Sequence, residues 1–116
     1  MPHLTINHAV VAPVEVADTW ARRARGMLFR RRLPSALLLT PCNSVHGAGM
    51  TTSLDVALVD SDRTVVRTLV LRPWRLTRPR RDVVAVLEAP EGSFSSWGLA
   101  VGDTVHVSNE EPHDEP

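Results

Sequence analysis

The chain has 116 residues, 43% hydrophobic and 22% charged, which is enough for one modest core and too little for two. No stretch approaches the roughly 20 apolar residues of a membrane span, and one cysteine, Cys42, excludes an internal disulfide and fits a reducing compartment, so a cytoplasmic protein without membrane insertion is expected. The formal net charge of zero divides into a body with thirteen arginines against nine acids and a final NEEPHDEP that carries four acids and no arginine.

The opening MPHLTINHAV lacks a basic region followed by an apolar stretch, so no secretory signal is expected. Alternation in HLTIN and VVAPVEVA predicts two short strands, the second interrupted by Pro13. Asp18 is the expected N-cap of a helix over 19–25, with Trp20 and Ala24 on one face and Gly26 as its stop. ALLLT reads as a fully buried strand, and LDVALVDSDRTVVRTLVL as a hairpin around Asp60-Ser61-Asp62-Arg63. Residues 73–82, with two prolines and four arginines, read as an exposed loop. VVAVLEA returns to strand, EGSFSSWGL supplies a helical turn with Phe94 and Trp97 inward, and VGDTVHVS closes the series. These elements predict a mainly β (α+β) fold: a compact, partly closed antiparallel β-barrel with two short helices. Residues 1–108 form one β-rich domain in this reading, and 109–116 an acidic, disordered tail.

The stretch PCNSVHGAGM gathers Cys42, His46 and Met50. Thiolate, imidazole and thioether are soft-metal donors, but residues four apart on a strand are separated by roughly 13 Å, so a shared ion requires a curled loop, for which Gly47 and Gly49 are suited. A blue-copper site also needs a second histidine, and only the remote His8 offers one. Cys42 as a nucleophile, with His46 as base and Asp55 as orienter, needs a lowered thiol pKa. A structural role, with Cys42 and Met50 in the core and His46 capping a loop, carries the most weight. Beside it stands a noncatalytic pocket between the sheet and the first helix, lined by Cys42, His46 and Met50, with an arginine for an anionic group. Asp55 is read as a surface acid or backbone partner, or as an ion-pair partner of Arg25 or Arg22, and Glu88 invites the same two readings. Eleven arginines fall in two runs, Arg22 to Arg32 and Arg72 to Arg81, with Trp74 in the second. Phosphate tracking with base stacking is a third reading, disfavoured because the body as a whole is only weakly basic.

Taken in order, ARGMLFRRRLP, ALLLTPCNSVHGAGMTTSLDVALVDSDRTVV, LRP, VVAVLEAPEG and GLAVGDTV resemble the prokaryotic family named domain of unknown function 192, in its subgroup with a C-x3-H-x3-M-x4-D motif, here Cys42, His46, Met50 and Asp55. The resemblance spans about residues 9 to 107 and implies a small β-rich domain with short helices and no established activity. Arg22, where relatives often carry an acid, and Thr51-Thr52-Ser53, where they carry basic and proline residues, depart from the pattern. The combined expectation is a small-ligand-binding or protein-interaction module with candidate pocket residues Cys42, His46, Met50, Asp55 and Arg25. No cofactor is expected. A thiol-dependent enzyme or soft-metal protein using Cys42 and His46 is the alternative.

Overall fold

The computed structural model describes residues 2–27, 33–47 and 50–109. Arg30, Arg31 and Arg32 of the first arginine run, Gly49 and the acidic segment after Asn109 lie outside the described residues. In chain order the elements are β1 (His3–Ile6), β2 (Ala9–Pro13), β3 (Glu15–Ala17), α1 (Trp20–Arg25), β4 (Leu37–Leu39), β5 (Leu54–Val59), β6 (Val65–Leu71), β7 (Ala85–Pro90), α2 (Ser93–Trp97) and β8 (Val105–Ser108). The fold is mainly β with two short helices, as the alternation of residues indicates.

Two sheets result, ordered β2-β1-β8 and β3-β4-β7-β5-β6. Pro13, which has no N–H to donate, ends β2, and the chain resumes as β3 in the other sheet. Among the described residues, all ladders are antiparallel except that of β3 with β4, which run parallel with α1 on the connection between them. Parallel neighbours need such a crossover, whereas β5 and β6 are joined by a tight turn. In that turn the Asp60 carboxylate accepts from the N–H groups of Asp62 and Thr64, both at 2.9 Å, and Arg63 takes φ 63°. Among the described residues, an isolated bridge between Thr64 and Thr104 links the start of β6 to the approach to β8, and no ladder joins the strands into a ring.

Strand alternation sends successive side chains to opposite faces, and the five-stranded sheet is buried on both. On one face Leu38, Ala57, Val59, Leu87 and Ala89 meet Leu4 and Ile6 of β1, Val105 of β8 and Phe94 of α2. On the other, Leu37, Leu39, Leu54, Val56, Leu58 and Val86 are covered by Met27, Val45 and Val83 from the connecting segments. Every residue of β5 is buried, which accounts for its near-continuous apolar sequence. Two acids interrupt these faces, Asp55 on the first and Glu88 on the second, 6% and 3% exposed.

Candidate functional site

The second face holds a cleft of about 250 Å³ between α1 and the sheet. Its helical wall is built by local signals. Thr19 is the N-cap, its hydroxyl accepting from the Arg22 N–H at 3.2 Å; the expected cap, Asp18, lies one residue earlier, and its carbonyl accepts from the Arg23 guanidinium at 2.9 Å. The hydroxyl wins because only a residue directly before the first turn can reach that orphan N–H. At the other end Gly26 donates to the Arg22 carbonyl at 3.0 Å with φ 50° and ψ −125°, a backbone conformation that suits glycine. α1 therefore stops abruptly, and Gly26 turns back against the sheet, where a Cβ would lie 3.7 and 3.9 Å from the two carboxylate oxygens of Glu88. Trp20, Arg23, Ala24 and Arg25 line the cleft from the helix, although no residue of α1 is buried.

The opposite wall is Ser44, Val45, His46 and Met50. This segment is zipped to the loop after β6: Val45 N–H donates to the Thr77 hydroxyl at 2.9 Å, Thr77 N–H to the Val45 carbonyl at 2.8 Å, Gly47 N–H to the Arg75 carbonyl at 2.7 Å, and Trp74 N–H to the Gly47 carbonyl at 2.8 Å. Met50 N–H donates back to the Gly47 carbonyl at 3.1 Å. Leu39, Leu54 and the Glu88 carboxyl complete the lining from the sheet.

Of the five residues singled out from the sequence, Arg25, His46 and Met50 line this cleft and two do not. Cys42 is half-buried at the edge of the second core, its backbone N–H donating to the Val84 carbonyl at 2.9 Å and its thiol to the Ser44 carbonyl at 3.0 Å. Burial pushes the Cys42 thiol above its ordinary pKa; the bond to Ser44 opposes this, the Glu88 charge adds to it and the Arg23 charge opposes it. A thiol so held is a poor nucleophile at neutral pH. Asp55 is on the opposite face of the sheet, where its Oδ2 accepts from the N–H groups of Gly92 and Phe94, both at 3.0 Å, and anchors the start of α2. The backbone-partner reading of Asp55 thus has a specific form, and the same alternation that buries Leu54 toward the cleft turns Asp55 away from it.

Glu88, Arg23 and Trp20 belong to the cleft and were absent from the candidate set drawn from the sequence. The readable signal for Glu88 was an acid inside the apolar run VAVLEAP, two residues after Val86 and therefore on the same face. Among the described residues no three His, Cys, Asp or Glu side chains group closely enough to hold a metal ion. Among them, too, no helix is long and apolar enough to cross a membrane.

The family model for DUF192, described as Uncharacterized ACR, matches residues 3–107. A UPF0127 protein of Pyrococcus abyssi is 35% identical over 97 residues, which are 79% of this chain and 83% of that protein. Its counterpart in Pyrococcus furiosus is 31% identical over 89% of this chain and 93% of its own length. Among solved structures, a protein of unknown function from Novosphingobium aromaticivorans superposes with a TM-score of 0.73 at 23% identity, covering 90% of this chain and 82% of that one. A Sinorhizobium meliloti protein, provisionally described as a transcription regulator, gives 0.70 at 22% identity over 81% and 80%. At these identities the two structures attest the fold.

Proposed function

The chain belongs to the DUF192 family, and from that premise we propose that it is a small cytoplasmic binding module whose ligand occupies the cleft between α1 and the five-stranded sheet. The observation that carries this reading is that separate parts of the chain line one concavity: Arg23 and Arg25 from α1, Val45 and His46 from the segment after β4, and Leu39, Leu54 and the buried Glu88 from the sheet. A mostly apolar concavity with a few convergent polar groups is the usual form of a small-molecule site. The volume of about 250 Å³ suits a compact ligand. The charge layout suits one that is amphoteric: an acidic group toward the arginines of α1, a hydrogen-bond donor toward Glu88, and an apolar body over Met50 and Leu54.

A noncatalytic role is favoured over thiol catalysis by the position and state of Cys42. Its sulfur faces the Ser44 carbonyl and its pKa is raised, whereas a nucleophile needs the thiolate. The test uses methyl NMR signals of Met27 and Met50 during titration with a panel of small carboxylic acids, with and without an amine. Saturable shifts of both methyls are expected for at least one amphoteric member. In the Ala24→Trp variant, which fills the cleft from the exposed side of α1, those shifts should vanish while the fold is retained. Shifts that persist in Ala24→Trp, or none with any compound, would refute a ligand site there.

A further inference from the structure

The loop after β6 carries features that the cleft does not use. Trp74 is 73% exposed and has φ 65°, a backbone region that a bulky side chain rarely occupies. The strain is held by the zipper to residues 45–47: Trp74 N–H donates to the Gly47 carbonyl at 2.8 Å, Gly47 N–H to the Arg75 carbonyl at 2.7 Å, and Arg75 N–H to the Arg72 carbonyl at 3.1 Å. Gly47 fits so tightly that a Cβ there would lie 2.8 Å from the Arg72 carbonyl oxygen and 3.3 Å from the Trp74 nitrogen. The loop is thereby fixed in a shape that presents an indole ring to solvent. Backbone strain of this kind persists only where the surroundings enforce it, and it concentrates at functional sites.

The exposed charges that flank Trp74 along the chain are mostly of one sign. Arg72, Arg75, Arg78 and Arg81 are exposed, while Arg80 is engaged by Asp82 at 2.8 and 3.0 Å. Asp82 is the sole acid between residues 72 and 82. The zero net charge of the whole chain, which argues against a polyanionic partner, conceals this local excess.

We propose that the Trp74 loop is a binding surface for single-stranded nucleic acid, with the indole stacking on a base and the flanking arginines meeting backbone phosphates. An acidic peptide would satisfy the arginines but would leave an exposed flat ring without a flat partner; an unpaired nucleotide supplies both. A single strand is specified because a duplex hides the faces of its bases, and stacking makes the site tolerant of sequence. This surface is independent of the ligand reading of the cleft.

The test is fluorescence anisotropy of a labelled oligo(dT) of about eight nucleotides, within the span that single-strand-binding domains contact, titrated with the full chain at low ionic strength. Saturable binding is expected, with affinity falling as salt rises along a log–log slope of about −2 if three phosphates are neutralised. Trp74→Gly removes the ring while suiting the positive φ, so the fold is kept and binding should weaken about tenfold; Trp74→Phe, which retains a ring, should keep most of it. Circular dichroism of each variant checks the fold. The proposal is overturned if the oligonucleotide does not bind at low salt, if Trp74→Gly binds as the parent does, or if inorganic polyphosphate competes as well as the oligonucleotide, since polyphosphate has charge without bases.

Discussion

Replacing Asp55 separates the two faces of the sheet. Its carboxylate accepts two backbone hydrogen bonds at 3.0 Å from the start of α2, one from Phe94 in a buried setting and one from Gly92 in a partly exposed one. In Asp55→Ala the Phe94 N–H is stranded without water, at about 2 kcal/mol, and the Gly92 N–H is partly resolvated, at about 1 kcal/mol, for a total of about 3 kcal/mol. Asp55→Asn keeps an acceptor in place but makes both bonds neutral, and neutral bonds are roughly half as strong, so about 1.5 kcal/mol is expected. Urea denaturation should show lowered midpoints with an unchanged slope. The corresponding falls in Tm are roughly 12 and 6 °C at about 4 °C per kcal/mol for a domain of this size. Amide exchange should accelerate in α2 before the rest of the chain. A cost for Asp55→Ala under about 1 kcal/mol, or an Asn variant as damaged as the Ala variant, would refute the anchoring role.

Other substitutions test the remaining geometry. Cys42→Ser should cost less than about 1 kcal/mol, because a hydroxyl can donate to the same Ser44 carbonyl, and the parent thiol should react slowly with a disulfide reagent until the chain is unfolded. Because the folded thiol has the higher pKa, the unfolded chain ionises first, so stability should fall as pH rises above about 8.5, and Cys42→Ser should remove that part of the decline in denaturation curves taken across the alkaline range. Gly47→Ala pushes a methyl to 2.8 Å from the Arg72 carbonyl oxygen, a backbone atom that cannot swing aside; a loss of about 1–3 kcal/mol in chemical denaturation is expected, and a neutral result would show that the zipper is loose. Asp55→Ala and Met50→Ala should be additive within about 0.5 kcal/mol in a double-mutant cycle, since the two side chains serve opposite faces; stronger coupling would place them in one site.

The elements that alternation and turn residues encode locally were legible. The β5–β6 hairpin lies where the Asp60-Ser61-Asp62-Arg63 turn indicated, and Gly26 ends α1; VVAPVEVA, read as one strand interrupted by Pro13, is instead two strands, β2 and β3, in different sheets, because Pro13 ends the first. What local pattern does not encode is which strands pair. Nothing in VEVA or ALLLT announces that β3 and β4 are parallel neighbours, because that choice is made by α1 crossing between them. The candidate site was legible in part for the same reason. Arg25, His46 and Met50 were named from the sequence, but Glu88 reaches them only through the pairing of β7 with β4 and β5, which sets Glu88 beside Leu37 and Val56.

A motif contiguous in sequence is therefore divided in space by the geometry of the strand that ends it. Leu54 and Asp55 are adjacent in the chain, yet Leu54 floors the cleft and Asp55 ties down α2 on the far side, because a strand reverses its side chains at each step. The two buried acids then take different tasks. Asp55 is consumed by the backbone of α2, and its carboxylate is part of the scaffold. Glu88 faces Gly26, at the point where α1 ends and no side chain intervenes between helix and sheet. A carboxyl placed in an apolar face costs folding free energy that a leucine at the same position would not. Glu88 lines the proposed cleft beside Gly26, so the proposed site centres on that junction more than on the cysteine that first draws the eye.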